Sequence, residues 1–250
     1  MAEPDPSQSF FFADHLVLDD SSTREFYIAL LQGLIHKNNN MLGVIQGFSS
    51  LILMDDDIPS GITDNVTQMK DSAQGASDLA RGILTTSGCA RLQIEAVDLN
   101  GSMPYFEQTC RELAAKEGIE VQFNRAENLP PVLADSTRLL EMLRELGENA
   151  IEAAAETNPP GEVAIDVLPP GEASPADQNR VDIFIRNSSV EIAVEKIPEL
   201  FMPFYSEKGN EHNGVGLTTA GVLAGQMDIR LGFRYADGTT TVWLSLPTAE

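Results

Sequence analysis

Two consecutive heptad patterns constrain this chain more than any other feature. The first alternates steps of four and three residues along Tyr27, Leu31, Leu34, Asn38, Met41, Ile45, Phe48 and Ile52. The second repeats this alternation along Ile62, Val66, Met69, Ala73, Ala76, Ala80 and Ile83. Such steps place every member on one side of an α-helix, so the patterns predict two long helices, each with a largely apolar seam.

The segment between the two seams predicts a tight turn. Asp55 to Gly61 reads DDDIPSG, and proline and glycine do not continue a helix without cost. Ser22 and Glu25 fit a capping box at the start of the first helix. A helical hairpin has too little core to be stable alone, so we expect two hairpins to pair as a four-helix bundle in a homodimer.

Beyond Gly88 the heptad pattern gives way to alternating helices and strands. This order, ending in two strands around Asp237 and Gly238, predicts an α/β sandwich. The fold class is therefore α+β, with a tail or short docking segment over 1–21, the hairpin over 22–91 and the sandwich over 92–250. Within the sandwich we predict helices over 102–116, 136–155 and 214–226, and strands over 119–123, 132–134, 163–168, 181–186, 229–234 and 240–246.

The charge balance excludes several classes of partner. Lys plus Arg number 16 and Asp plus Glu number 38, a formal net charge of −22. A chain this acidic repels nucleic acid and anionic lipid, so we expect neither as a partner. The two cysteines, Cys89 and Cys110, make neither a disulfide framework nor a zinc motif. With no signal peptide and no apolar run long enough for a membrane span, we expect a cytoplasmic protein.

His36 lies two residues after the seam residue Leu34, at the outermost heptad position. A histidine there is either an ordinary solvated residue or a functional group accessible to a partner. The run from His36 to Asn40, HKNNN, favours function, because three consecutive asparagines cost helix stability without an evident structural gain. A neutral imidazole is also a competent nucleophile toward phosphorus.

Four segments together resemble a known family. HKNNNMLGVIQGFSSLI, from His36 to Ile52, resembles the H-box of two-component sensor histidine kinases. Glu145–Ala153, Leu200–Lys208 and Gly214–Leu217 resemble the N-box, F-box and G2 box of the same family and follow in its order. The chain is thus similar to a histidine kinase core, namely a dimerisation hairpin followed by an α/β sandwich of the GHKL ATPase type.

The resemblance implies roles for individual residues. It implies that Asn149 binds the Mg²⁺ that bridges the phosphates of ATP and that Lys208 lies near those phosphates. Gly214 and Gly216 would let the backbone approach phosphate. Glu145 matches a position at which the wider GHKL superfamily has a glutamate that can activate water.

The chain departs from the family pattern at the nucleotide base. The G1 box normally reads DxGxG, and its aspartate accepts a hydrogen bond from adenine. Here the corresponding residues are Asn187, Ser189 and Glu191. Asn187 can still accept a hydrogen bond, though without a negative charge. Where those glycines require a positive φ, each substitution costs on the order of 1 kcal/mol or more. This departure puts the binding of ATP and Mg²⁺ in doubt.

A second departure lies beside the histidine. Active kinases of this kind usually carry an acid next to it, and this chain has Lys37, which cannot accept a proton while charged. Lys37 could instead attract a phosphoryl group. Asn40, one turn after His36, matches the residue that positions hydrolytic water in the family's phosphatase reaction.

Three functions remain open from the sequence. The leading one is a histidine kinase that phosphorylates His36 from Mg-ATP and passes the phosphoryl group to an aspartate of a response-regulator receiver domain. The alternative is an ATP-independent histidine phosphotransferase with a vestigial nucleotide site, and the third is a scaffold that only docks a receiver. Since we recognise no sensor domain, we expect another protein to supply the input signal.

Overall fold

The computed structural model describes residues 10–11, 21–55, 58–88, 92–171, 174–176, 179–205 and 214–249. Contacts divide the chain into two compact units. One unit is Leu18–Ala90, and the other combines Met1–Val17 with Arg91–Glu250. No helix in the described part of the chain is long and apolar enough to cross a membrane.

The first unit is a hairpin of two long helices, α1 (Ser21–Leu53) and α2 (Ser60–Thr86). Both predicted helices are present, and the break falls at the predicted proline and glycine. Their shared face buries Ile35 on α1 and Val66 on α2. Across it, Nε2 of Gln46 donates a hydrogen bond to Oε1 of Gln74 at 3.2 Å. The hairpin is thus held by a narrow strip of contacts.

Most of the large seam residues lie outside that strip. Small residues, Ala73 and Ala80, fill much of the α2 side of the hairpin and are buried. The larger apolar side chains of both seams remain exposed to solvent in the single chain: Leu34, Met41, Ile45, Phe48, Ile52, Ile62 and Met69. The hairpin therefore presents an apolar face that its own fold does not cover.

The second unit contains eight strands and four helices within the described residues. Its chain order is β1 (Phe10–Phe11), β2 (Glu95–Val97), α3 (Leu99–Glu117), β3 (Glu120–Arg125), β4 (Val132–Ala134), α4 (Ser136–Ala155), β5 (Glu162–Leu168), β6 (Arg180–Ser188), α5 (Ile197–Leu200), α6 (Gly216–Gln226), β7 (Arg230–Ala236) and β8 (Thr239–Pro247). A short 3₁₀ turn over Val194–Lys196 precedes α5.

The main sheet has six strands in the order β1-β7-β8-β6-β5-β3, and β2 pairs with β4 in a second, two-stranded sheet. In the main sheet, β3 and β5 run parallel and the remaining neighbours run antiparallel. Helices α3, α4 and α6 pack against β3, β5, β6 and β7. The predicted α+β class, a helical hairpin followed along the chain by helices packed on a sheet, is confirmed.

Close packing of α3 on α4 depends on Gly147. A β-carbon added at Gly147 would lie 3.0 Å from Sγ of Cys110 and 3.1 Å from the ring of Phe106. Both of these side chains are buried, and Phe106 also makes an edge-to-face contact with Phe123 at 5.7 Å. The missing side chain at Gly147 thus sets how near the two helices approach.

Several elements differ from their sequence predictions. Helix α4 and strand β4 have their predicted bounds, whereas α3 begins three residues earlier, at Leu99. Asp98 explains this start, because its side chain accepts a hydrogen bond from the backbone N–H of Asn100. Strands β1 and β2 and helix α5 were not predicted. Strand β1 pairs with β7 inside the segment predicted as a tail or short docking segment.

Candidate functional site

The residues of the predicted phosphoacceptor region lie on the outer surface of α1. Ile35 is buried against the hairpin partner, and His36, Lys37 and Asn40 are exposed. A helix turns about 100° per residue, so the imidazole points away from the strip that holds α1 to α2. The imidazole of His36 is therefore accessible to solvent.

The candidate nucleotide site is built on α4, whose start is fixed by Asp135. Oδ1 of Asp135 accepts a hydrogen bond from the N–H of Arg138 at 3.0 Å, and Oδ2 accepts one from the N–H of Gln93 at 2.8 Å. Burial alone would raise the pKa of Asp135. The N–H groups of Gln93, Arg138 and Thr137, together with the charge of Arg138, instead hold this pKa below its ordinary value.

Glu145 and Asn149 lie one turn apart on α4, and both face the start of α6. A β-carbon added at Gly216 would lie 2.6 Å from Oε2 of Glu145 and 3.7 Å from Nδ2 of Asn149. A side chain at Gly216 would therefore force the Glu145 carboxylate to move. The structure brings these three residues together, as expected for residues of a single site.

Glu145 lies in an acidic environment. Burial raises the pKa of its carboxyl group, and the nearby carboxylates of Glu148, Glu141 and Glu152 raise it further, against the opposing charge of Arg144. Among the residues that the structure describes, none donates a hydrogen bond to the Glu145 carboxylate or forms an ion pair with it. Its charge is therefore poorly compensated.

The start of α6 offers backbone donors. The helix begins at Gly216 with no side-chain cap and no acidic residue in its first turn. The first N–H groups of an uncapped helix, with the positive end of the helix dipole, form a natural site for a phosphate group. Oγ1 of Thr218 donates to the carbonyl of Phe201 at 2.8 Å and so ties α6 to the F-box segment.

A backbone hydrogen bond joins the segment that resembles the F-box to Gly214, the first residue of the segment that resembles the G2 box. The N–H of Phe204 donates to the carbonyl of Gly214 at 2.7 Å. Gly214 has a φ of +61°, and a β-carbon there would lie 2.7 Å from the backbone of Phe204. Gly214 is therefore required at this closure. Lys208 falls within residues 206–213, outside the described residues, and its role stays a prediction.

The residues predicted to correspond to the G1 box lie at the end of β6 and just after it. Asn187 is buried in β6, and its Nδ2 donates to the carbonyl of Ser188 at 2.8 Å. The Ser189 hydroxyl is 2.8 Å from the hydroxyl of Thr240, and its N–H donates to the carbonyl of Gly238 at 3.0 Å. The Ser189 side chain is thus hydrogen-bonded to a residue of β8.

These substitutions cost no backbone strain. Within the described part of the chain, the residues other than glycine with positive φ are Asn128, Phe204, Asp228 and Asp237, so neither Ser189 nor Glu191 is among them. Glu191 is exposed. The penalty that a left-handed backbone would impose therefore does not apply here.

Sequence reasoning missed two residues that shape this end of the site. Thr240 is the partner of Ser189, and it lies directly opposite Asn187 in the pairing of β6 with β8. A β-carbon at Gly161 would lie only 2.3 Å from Cβ of Ser188, so Gly161 has to be a glycine. Neither contact has a local signal, because each joins residues far apart in the sequence.

The donor groups present fit a magnesium–nucleotide complex. Within the described residues no group of three or more His, Cys, Asp or Glu side chains could hold a metal alone. Glu145 and Asn149 nevertheless supply a carboxylate and an amide oxygen on one face of α4. Mg²⁺ is characteristically held by one or two such oxygens together with substrate phosphates and water. The arrangement suits a metal that arrives with its nucleotide.

Comparison with known proteins agrees with this geometry. Residues 134–250 match the family described as histidine kinase-, DNA gyrase B- and HSP90-like ATPase. The chain is 25% identical over 237 residues to the sensor histidine kinase ZraS of Escherichia coli (strain K12), a match that covers 92% of this chain and 48% of ZraS. It is 24% identical over 231 residues to the sensor kinase CckA of Brucella abortus (strain 2308), covering 87% of this chain and 24% of CckA.

Solved structures share the fold. Full-length ShkA in complex with AMPPNP superposes with a TM-score of 0.73 at 22% identity, covering 88% of this chain and 46% of ShkA. Histidine kinase ThkA in complex with the response regulator protein TrrA superposes with a TM-score of 0.59 at 19% identity, covering 90% of this chain and 64% of ThkA.

The chain spans about half the length of ZraS and about a quarter of CckA. The N-box, F-box and G2 residues described above lie within the matched segment. Residues 134–250 therefore match the histidine kinase-, DNA gyrase B- and HSP90-like ATPase family, in a chain that is similar to sensor histidine kinases over most of its length.

Proposed function

We propose that this protein is a two-component histidine kinase that phosphorylates His36 from Mg-ATP and transfers the phosphoryl group to an aspartate of a response-regulator receiver domain. The observation that carries the proposal is the approach of Gly216 to Glu145 and Asn149, which joins the N-box to the start of α6. The relatives named as sensor histidine kinases support it.

The nucleotide would be held from three directions. Asn187 accepts a hydrogen bond from the adenine amino group, because its carbonyl oxygen is not used in its contact with Ser188. The first N–H groups of α6, made accessible by Gly216 and Gly214, bind the phosphates. Lys208 offsets phosphate charge, and Asn149 binds Mg²⁺, which when bound neutralises charge developing on the phosphates.

His36 is the acceptor. Its imidazole attacks the γ-phosphorus, the bond to the bridging oxygen breaks, and ADP leaves. Lys37 cannot accept the imidazole proton while charged, so the proton passes to water, and the ammonium group instead attracts the incoming phosphoryl group. Asn40, exposed one turn further along α1, would position water in a separate phosphatase reaction, in which the phosphorylated receiver is hydrolysed to the free aspartate and inorganic phosphate.

The active form would be a homodimer. The uncovered apolar face of the hairpin follows the heptad seams, and pairing two such faces completes a four-helix bundle. His36 lies on the opposite side of α1 from this seam, so pairing leaves it accessible to a receiver. Another protein supplies the input signal.

One observation favours the alternative of an ATP-independent phosphotransferase. The buried hydrogen bond between Ser189 and Thr240 occupies volume that a glycine would leave open at the base end of the site. In this alternative, His36 receives its phosphoryl group from one receiver and passes it to another.

Labelling with radioactive ATP distinguishes the kinase from the ATP-independent phosphotransferase. The protein is incubated with γ-³²P-ATP and Mg²⁺, beside His36→Ala and Asn149→Ala. A kinase gives acid-labile label in the wild type, none in His36→Ala and little in Asn149→Ala. If the wild type takes no label from ATP but accepts a phosphoryl group on His36 from a phosphorylated receiver, the kinase proposal is wrong and the phosphotransferase is supported.

A further inference from the structure

Glu145 places a negative charge directly beside the group that would bind phosphate. The 2.6 Å approach of its Oε2 to a β-carbon built on Gly216 puts the carboxylate against the first residue of α6. The N–H groups of that helix turn are the phosphate donors of the proposed function. A polyphosphate bound there would therefore lie within a few ångströms of a carboxylate.

Among the residues that the structure describes, most of the charges near Glu145 are also negative. Glu141, Glu145, Glu148 and Glu152 repeat at steps of four, three and four, so they lie on one face of α4. Arg144 is engaged by Glu148 at 2.7 Å, and Arg138 by Glu141 at 2.5 Å. Neither arginine forms an ion pair with Glu145. Helix α6 carries no charged residue.

We propose that Glu145 makes this site selective for metal-complexed nucleoside triphosphates and excludes the metal-free form. Mg²⁺, when bound, would neutralise part of the phosphate charge and be attracted to the carboxylate, whereas metal-free ATP would bring its full negative charge against Glu145. This inference rests on the proposed nucleotide site. It assigns Glu145 to ligand selection, separately from any role in activating water.

The test compares ATP binding with and without the metal by isothermal titration calorimetry on the full chain. The readout is the selectivity ratio, the Kd in EDTA divided by the Kd in excess Mg²⁺. Glu145→Gln keeps the shape of the side chain and removes its charge. Coulomb's law between charges a few ångströms apart at a partly exposed site gives a drop in the ratio on the order of tenfold or more, chiefly through tighter binding of free ATP.

Glu152→Gln is the matched control, since it removes the same charge from the same face of α4, two helical turns beyond Glu145. Its ratio stays within about twofold of the wild type, because screening by water weakens the more distant charge. Thermal unfolding of each variant checks the fold. Glu145→Asn, which is also neutral, replaces Glu145→Gln where the latter unfolds.

Each outcome has one meaning. A ratio unchanged in the neutral variant, or lowered as much by Glu152→Gln, overturns the selection by Glu145 while leaving the kinase intact, provided that the wild type binds Mg-ATP. Absence of ATP binding in all variants, with and without metal, removes the proposed kinase and this inference with it. A tenfold lower ratio confined to the Glu145 variants supports both.

Discussion

Truncation of Phe48 tests the proposed dimer most directly. Phe48 occupies a seam position on α1 and is 63% exposed in the single chain. Because the side chain makes few contacts within its own hairpin, Phe48→Ala should leave the fold of the protomer unchanged. Any large effect must then come from a second copy.

The magnitude follows from burial. Complete burial of a phenylalanine side chain contributes about 1.5–3 kcal/mol, of which the 63% still exposed here is available to a partner. A symmetric dimer contains two such residues, so the substitution should cost about 2–4 kcal/mol of association free energy. The dimer Kd should rise from about 30-fold to several hundred-fold.

Sedimentation equilibrium of the full chain over a range of concentrations measures this Kd. Met54→Ala is the matched control, because Met54 is 78% exposed but lies outside the seam. It should change the Kd by less than about threefold. Equal weakening by both substitutions, or a wild-type protein that stays monomeric at high concentration, would refute the assignment of the seam as the dimer interface.

Three further predictions concern the second unit. In urea titrations, Gly147→Ala should lower the free energy of unfolding by about 1 kcal/mol, because overpacking against Phe106 and Cys110 outweighs the gain in helix propensity. Gly225 has open space around it, so Gly225→Ala should instead raise the free energy of unfolding by up to about 1 kcal/mol. Burial raises the pKa of the Cys110 thiol to about 12, so the folded protein should resist alkylation of Cys110 at pH 8.5, as read by peptide mass spectrometry, and rapid labelling without urea would contradict this. This shift also means that Cys110 contributes stability that is lost as pH rises from about 9 to 12, because the unfolded thiol ionises first. Asp135→Ala should lower the free energy of unfolding by about 1 kcal/mol at pH 7, and Asp135→Asn by much less, since asparagine also caps a helix. Because the folded-state pKa of Asp135 is lowered, the loss caused by Asp135→Ala should shrink as pH falls through that pKa. A loss that does not depend on pH would contradict the assigned cause.

Much of the fold follows from local patterns. The heptad steps predict α1 and α2 because they depend only on spacing within one helix, and the bounds of α4 follow from its cap and its apolar period. Strand β2 and helix α5 were not predicted, although β4, which is as short as β2, was. Strand β1 is detectable only through its pairing with β7, more than 200 residues along the chain.

The features of the candidate site also divide into those that local sequence predicts and those that depend on tertiary packing. The resemblance of short segments to histidine kinase motifs predicted that Glu145, Asn149 and Gly216 belong to one site and that His36 is the acceptor, because residue type and spacing within a segment suffice for such a comparison. The tertiary structure decided what spacing cannot express. It showed that Ser189 and Glu191 do not have a left-handed backbone, tied Ser189 to Thr240, and set the carboxylate of Glu145 against α6. The reason is physical: a φ angle and a contact across the sheet depend on how distant segments pack, whereas a heptad or a helix cap depends only on near neighbours in the chain.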